Sequence, residues 1–217
     1  MNSHPLQKLS SVKSSESGFT IIESLVAILV ATILLAAIAP ILVMSTATRV
    51  QARRVELATE AAKSFIDAIK SKTVSDPTIT TTLAASTTRT VSSSTSDYLI
   101  SGAAVPTATT GLYCFNKNSS IANPDCTSDL FYIQAIRLAV SGSNPDQGQG
   151  YRLGIRVYRS DAFIGSAPLT SSSTGKKAAT FTGALGDRKA PLVEMTTEIV
   201  RGQSSYSSLC GRLGGCR

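Results

Sequence analysis

The sequence is poor in the side chains on which most enzymes depend. Its one histidine, His4, lies close to the N-terminus, there is no tryptophan, and aromatic residues make up 6% of the chain. If the segment before residue 19 is removed, as argued below, the remaining chain has no imidazole. Ser/His/Asp catalysis, Cys/His catalysis and histidine-ligated metal sites are then excluded. We therefore expect a protein that is not an enzyme and that carries no cofactor.

Charged residues are also scarce, at 16% of 217 residues, whereas 42% of the residues are hydrophobic. Mean hydropathy is positive, at +0.13. A wholly disordered chain has the opposite balance, with many charges and few apolar groups. The length fits one globular domain with a separate anchor.

One long apolar run dominates the N-terminal part of the chain. Residues 19–44 read FTIIESLVAILVATILLAAIAPILVM and hold a single charge, Glu23. Roughly 20 helical residues cross a hydrocarbon core. A secretory signal peptide is the alternative, but its apolar core has roughly 7–15 residues. The one Ala-x-Ala site, residues 37–39, is also followed by Pro40, which disfavours cleavage. The run therefore predicts a membrane anchor.

An ionisable residue inside a membrane helix indicates a function and needs a partner. Glu23 lies four residues after Phe19, so the two share one helical face. If Phe19 became a new N-terminus after cleavage behind Gly18, its ammonium group would be the natural counter-charge. That amine belongs either to the same chain or to a neighbouring copy. The alternative is a carboxylate that reaches to the lipid headgroups.

Residues 17–25, SGFTIIESL, resemble the cleavage and methylation motif of type IV prepilins and pseudopilins. The resemblance implies that a membrane-embedded aspartyl peptidase cuts after Gly18 and then N-methylates Phe19. It also implies that Glu23 directs assembly with other pilin or pseudopilin subunits. Pro40 matches the proline that kinks the membrane helix of many pilins. These roles are expectations from the family, and they cover about the first quarter of the chain.

A shorter segment gives a closer resemblance. Residues 45–54, STATRVQARR, resemble a segment of pseudopilins linked to hormogonium polysaccharide secretion in filamentous cyanobacteria. This likeness adds a polysaccharide to the expected partners.

Charge and family give opposite orientations for the membrane segment. Two lysines precede the apolar run and three arginines follow it: Lys8 and Lys13, then Arg49, Arg53 and Arg54. A positive-inside count mildly favours the C-terminal side in the cytoplasm. The family implies the reverse, with the leader inside and the larger part of the protein periplasmic or extracellular. We predict the family orientation in the inner membrane, because the motif is more specific than a difference of one charge.

The chain beyond the membrane predicts an α+β, pilin-like fold. Residues 50–72 place apolar side chains at helical spacing, which indicates that the helix continues with one face on its own domain. The apolar row comprises Val50, Leu57, Ala61, Phe65 and Ile69, flanked by Ala58, Ala62 and Ile66. Residues 73–96 include 15 Ser and Thr, which favours a mobile connection or loosely held edge strands. The predicted boundaries are 1–18 leader, 19–44 membrane helix, 45–72 amphipathic continuation, 73–97 connection and 98–217 β-rich domain.

Alternating and β-branched runs predict an antiparallel sheet packed on the second half of the helix. The strongest pair is 130–140 and 151–158, separated by a Gly- and Asn-rich turn that favours a hairpin. In the second run, apolar residues alternate with Arg152, Gly154 and Arg156, the period of a half-buried strand. Further strand candidates are 162–164, 179–181 and 192–200.

Four cysteines allow three pairings. The simplest joins Cys114 to Cys126 and Cys210 to Cys216, and disulfides fit an oxidising compartment. A metal site is the less favoured alternative, because the spacing is wide and no histidine helps.

The β-rich part carries no motif for catalysis. Glu194 and Glu198 fall on one strand face, where solvated side chains are expected. The oxygen-rich residues 144–150 lack an EF-hand pattern and predict a hairpin loop rather than a calcium site. Six basic residues predict a basic surface that attracts anionic polysaccharide, DNA or lipid headgroups: Arg152, Arg156, Lys176, Lys177, Arg188 and Lys189. No nucleic-acid motif accompanies them, so we predict no specific nucleic-acid partner.

Together these features predict a non-catalytic minor pilin or pseudopilin that assembles through its N-terminal helix, with polysaccharide secretion or motility as the process it serves. The alternative is a membrane-tethered module that binds an anionic glycan and never polymerises.

Overall fold

The structure, a computed structural model, describes Gly18 and residues 20–78, 80–83, 103–140, 143–171, 187–202, 205–206 and 208–209. The chain divides into two units, residues 1–44 and 45–217. The first unit holds the N-terminal part of a long helix. The second holds the remainder of that helix together with a β-sheet, and the α+β class is confirmed.

Helix α1 runs from Ile21 to Lys70 and includes Pro40 in its interior. Proline lacks an N–H, so one backbone bond is missing there, yet helical structure continues on both sides. A kink at Pro40 stays a prediction. The helix ends where Lys72 adopts a positive φ of 60° and the Thr73 N–H donates to the Ala68 carbonyl at 2.9 Å.

Six strands form one sheet among the described residues. They are β1 Thr80–Leu83, β2 Tyr113–Phe115, β3 Ile121–Ala122, β4 Phe131–Val140, β5 Tyr151–Arg159 and β6 Val193–Ile199. Strands β3, β2, β4, β5 and β6 are antiparallel neighbours in that order, which confirms the predicted antiparallel sheet. Strand β1 comes from the Ser/Thr-rich segment and pairs in parallel with residues 137–140 of β4. Residues 84–102 lie outside the described part of the chain.

The core lies between the second half of α1 and one face of the sheet. The predicted stripe is buried from Ala58 onward and meets alternate residues of β4 and β5, but Val50, the first member of the predicted row, is exposed. The helix contributes Ala58, Ala61, Ala62, Phe65 and Ile69; the sheet contributes Ile133, Ala135, Leu153, Ile155 and Val157. Small alanines let the helix approach the sheet closely, and the Phe65 and Tyr113 rings meet edge to face at 4.7 Å.

The opposite face of the sheet is also covered, so the prediction that β5 is half-buried is wrong. Arg156 is fully buried there and lies in register between Gln134 of β4 and Glu194 of β6. Its guanidinium donates to the Glu194 carboxylate at 2.7 Å and to the carbonyl of Ala103 at 2.9 Å. Gln134 also donates to the carbonyl of Ala104 at 2.8 Å. The segment that begins at Ala103 thus lies over this face of the sheet.

Some of the strands predicted from the sequence are present in the structure and one is not. Strands β4, β5 and β6 confirm the predictions for 130–140, 151–158 and 192–200, and the turn between β4 and β5 includes a short 3₁₀-helix, Pro145–Gln147. The strand predicted at 162–164 is wrong, because Ser160–Phe163 is a 3₁₀-helix whose Ala162 is buried. The candidate at 179–181 lies outside the described residues.

The predicted disulfide between Cys114 and Cys126 is present. It joins β2 to the loop that precedes β4, and the Cys114 side chain is fully buried. Cys210 and Cys216 lie outside the described residues, so their pairing stays a prediction.

Three buried tyrosines predict sensitivity to alkaline pH. Burial raises the pKa of Tyr113 and Tyr158 to about 12 and raises the pKa of Tyr151 still further. In the unfolded chain these phenols lose their protons near pH 10, so above that pH the unfolded state binds fewer protons than the native state. Stability should be full below about pH 10 and fall by up to about 1.4 kcal/mol per pH unit per tyrosine as pH rises toward 12. Urea unfolding of the full chain in detergent, followed by far-UV circular dichroism, measures the slope. Tyr158→Phe should reduce it, and a flat profile from pH 10 to 12 would contradict the assignment.

The buried Arg156 predicts a large loss of stability on substitution. Arg156→Met keeps an unbranched apolar side chain but removes the guanidinium that faces Glu194, whose side chain is only 13% exposed. Loss of one partner of a buried pair typically lowers the free energy of unfolding by about 3–5 kcal/mol. The same unfolding measurement tests this. Arg53→Met, at a pair whose side chains are 65% and 67% exposed, is the matched control and should change stability by less than about 1 kcal/mol. Adding Glu194→Leu to Arg156→Met should restore part of the loss.

Candidate functional site: the N-terminal segment

Gly18 is the described residue on the N-terminal side of the predicted cleavage point. It is exposed, and a Cβ atom built on it would have no heavy atom within 4 Å. Phe19 lies outside the described residues. The backbone at Gly18 is therefore open to approach, while cleavage and methylation at these two positions stay predictions.

Thr20 caps the long helix. Its hydroxyl accepts a hydrogen bond from the Glu23 N–H at 3.3 Å, and its carbonyl accepts the first helical bond from the Ser24 N–H at 3.1 Å. The first N–H groups of a helix have no intrahelical partner, so this side chain satisfies one of them. The pattern Thr20-x-x-Glu23 is a capping-box sequence. Sequence reasoning missed this role of Thr20, although the spacing alone indicates it.

Glu23 lies in the first turn of α1 and is exposed. A carboxylate there is stabilised by the positive end of the helix dipole. In the part of the chain that the structure describes, Glu23 forms no ion pair. Its neighbours one turn further along the helix, Val26 and Ala27, are apolar and exposed. A charge in such surroundings calls for a counter-charge from outside the described helix.

The N-terminal part of α1 presents apolar side chains all round. Every large hydrophobic residue from Ile21 to Met44 is about half exposed or more. Among the described residues α1 is the one helix long and apolar enough to cross a membrane, with a mean hydropathy of 2.9 in its best window. The hydroxyls of Ser24 and Thr32 donate to the carbonyls of Ile21 and Leu29, both at 2.8 Å. These groups are therefore satisfied by the helix itself, as a lipid environment requires.

Among the described residues of the second unit, the predicted basic surface is largely absent. Arg156 is buried, and the Arg152 side chain is 15% exposed and faces Glu198 at 3.7 Å. Lys189 donates to the carbonyls of Ala162 and Ile164 at 2.6 and 3.1 Å. The expectation that Glu194 and Glu198 are solvated is also wrong, because both pair with these arginines across the sheet. Arg188 is exposed, whereas Lys176 and Lys177 lie outside the described residues.

The oxygen-rich residues 144–150 form the turn that was expected. The side chain of Asn144 accepts from the Asp146 N–H at 3.2 Å, and Asp146 pairs with Arg137 at 2.7 Å. Gly148 adopts a positive φ of 87°, which glycine reaches without strain. Within the described ranges, no group of three or more His, Cys, Asp or Glu side chains is placed to hold a metal ion.

Comparison with known families agrees with the geometry of the first unit. The family described as the prokaryotic N-terminal methylation motif matches residues 13–39. The match spans Gly18, Phe19 and Glu23 and ends one residue before Pro40. No curated protein and no solved structure matches the chain significantly.

The matched motif belongs to structural subunits rather than enzymes, and it implies processing by prepilin peptidase and assembly with other pilins at the membrane. Together with the apolar helix it fits a single-pass inner-membrane protein. The likeness to cyanobacterial polysaccharide-secretion pseudopilins is not shown. The chain thus carries the N-terminal methylation motif over residues 13–39, and its long helix packed on an antiparallel sheet is a pilin-like arrangement.

Proposed function

We propose that this chain is a non-catalytic subunit, a minor pilin or pseudopilin, of a filament or pseudopilus. The precursor is held in the inner membrane by α1 and cut between Gly18 and Phe19. Phe19 is then N-methylated, and subunits pack through their apolar helices. The observation that carries the proposal is the methylation motif on a helix whose first 24 residues are exposed and apolar, with one acid in the first turn.

The carboxylate of Glu23 explains how assembly is directed. A carboxylate in lipid costs a few kcal/mol unless it is paired. Glu23 has no ion-pair partner within the described residues, and cleavage after Gly18 creates an amine four residues before it. The amine of the same subunit or of a neighbour then neutralises the charge, and a neighbour's amine also sets how far one subunit is shifted along the next. Alanines along residues 27–39 permit close helix contact.

The second unit lies on the periplasmic or extracellular side in this proposal, and one observation supports that orientation. The disulfide between Cys114 and Cys126 requires an oxidising compartment. The arginines after the apolar run favour the cytoplasm, but only by a difference of one charge. The disulfide therefore weighs more than the arginine count.

The alternative function, a tethered module for anionic glycan, finds little support in the described surface. The arginines of β5 that were expected to form a basic patch are paired and covered, and Lys189 is engaged with backbone carbonyls. Polysaccharide remains a cargo consistent with the closer sequence resemblance. The described cavity that Lys70, Lys72 and Arg201 line also contains the acidic residues Asp76 and Asp146, so it is not a purely basic groove.

Two substitutions test the proposed function. Gly18→Leu should leave the precursor uncut, so mass spectrometry of the membrane fraction should find the full 217 residues. Glu23→Gln should be cut normally but should enter sheared filaments roughly 100-fold less, because a neutral amide cannot form an ion pair with the new N-terminal amine. Ser17→Ala is the control for the first variant and Ser24→Ala for the second. Wild-type behaviour of both Gly18→Leu and Glu23→Gln in the sheared fraction would contradict the proposal.

The state of the cysteines tests the orientation. When cells expressing the full chain are denatured in SDS in the presence of a maleimide, Cys114 and Cys126 should resist alkylation until a reductant is added; denaturation is needed because Cys114 is fully buried in the folded protein. A second unit on the cytoplasmic side would leave both thiols reduced and labelled at once. The Cys114→Ser/Cys126→Ser variant shows how much labelling comes from Cys210 and Cys216. Removing the bridge, which spans 12 residues, should also lower stability by about 3 kcal/mol.

A further inference from the structure

Thr20 holds the start of α1 at a fixed distance from the predicted cleavage point. Its hydroxyl accepts from the Glu23 N–H at 3.3 Å, and its carbonyl accepts from the Ser24 N–H at 3.1 Å. Helical residues therefore begin at Ile21, two residues after the peptide bond that joins Gly18 to Phe19. We propose that the Thr20 hydroxyl is a positioning group that keeps this bond outside the helix for the peptidase and keeps Glu23 at the third helical position. This inference rests on the proposed function.

The position of the helix start matters for cleavage. In a helix, backbone N–H and C=O groups are paired within the segment and the chain is closed to a peptidase, whereas exposed irregular backbone is where proteolysis concentrates. Gly18 is exposed with open space around it. Ser17, one residue before, is of a type that readily caps helices, so a start at Ser17 would draw the bond into the first turn. Glycine disfavours that extension, and the Thr20 cap favours the start at Ile21.

The hydrogen bond from the Glu23 N–H to the Thr20 hydroxyl leaves the Glu23 carboxylate available for another partner. In a full capping box the glutamate side chain turns back to the N–H of the cap residue. Here the contact that fixes the helix start uses the backbone N–H of Glu23, not its carboxylate. The carboxylate can therefore change partners, from the precursor to an amine created by cleavage, while the helix start stays in place. Thr20 separates the positioning of Glu23 from its pairing.

An isosteric pair of variants tests the inference. Thr20→Val keeps the shape but removes the acceptor, and Thr20→Ser keeps the acceptor. In a pulse–chase of the full chain with its peptidase, Thr20→Val should be cut about fivefold more slowly and Thr20→Ser at nearly the wild-type rate. Ser24→Ala is the control, because the Ser24 hydroxyl lies in the same turn but donates to the Ile21 carbonyl at 2.8 Å.

A second readout is independent of cleavage. Hydrogen exchange of the Glu23 amide, measured by NMR on the uncut precursor in lipid nanodiscs, should be about fivefold faster in Thr20→Val and unchanged in Thr20→Ser. Equal cutting rates for Thr20→Val and wild type, or slow cutting of Thr20→Ser, would overturn the positioning role even if exchange changes. If the wild-type chain is never cut after Gly18, the proposed function fails together with the role in cleavage. The exchange result still reports on the cap, so the two failures are told apart.

Discussion

A single long helix that pairs its backbone groups within the segment, except for the bond missing at Pro40, is the constraint on which the rest of the molecule depends. Lipid offers no partner for a free N–H or C=O, so only a continuous helix can present residues 21–44 to a hydrocarbon environment. The same helix continues to Lys70, where its buried alanines, Phe65 and Ile69 become the core of the second unit. One helix thus meets two different apolar surroundings. Its first half carries exposed aliphatic side chains all round, and its second half carries a single apolar stripe that packs on the sheet.

The sheet is covered on both faces, and this changes what the second unit is able to do. Arginines on the face away from the helix are held by cross-strand glutamates and by carbonyls of the segment that begins at Ala103. Such pairs add little net stability, because desolvation offsets the attraction, but they disfavour any arrangement that leaves a buried charge unpaired. Over the described part of the chain, the outcome is a largely neutralised sheet face rather than a basic binding surface.

At the start of α1, two neighbouring side chains have separate roles. The Thr20 hydroxyl satisfies a backbone N–H, and the Glu23 carboxylate carries the charge. In the proposed function, helix start and charge pairing are made by different atoms, so that cleavage would alter the pairing without disturbing the helix start. Pro40 lies in the interior of the helix, and the hydroxyls of Ser24 and Thr32 bond to carbonyls of their own turn. In the described stretch of this segment, Glu23 is therefore the one polar side chain that requires a partner from another molecule.

Sequence patterns were sufficient wherever the cause is local. The apolar run, the helical stripe around Phe65 and Ile69, the alternation in β5 and the spacing of Gly18, Phe19 and Glu23 all depend on neighbours within one or two turns or along one strand. The capping box at Thr20 was equally readable from its spacing. The pairing of Cys114 with Cys126 followed from closeness in sequence, and the turn before β5 followed from its glycines and Asn144.

Only the tertiary structure decided which side of the sheet meets solvent. Arg156 looks like a surface residue in an alternating strand, yet its guanidinium binds the carbonyl of Ala103, 53 residues earlier in the chain. Likewise, residues 162–164 are apolar and fit a strand, but Ser160–Phe163 forms a 3₁₀-helix that packs Ala162 against Tyr158 and Leu169. A periodic pattern specifies the faces of an element. What covers each face depends on segments distant in sequence, and that information arises only when the chain closes on itself.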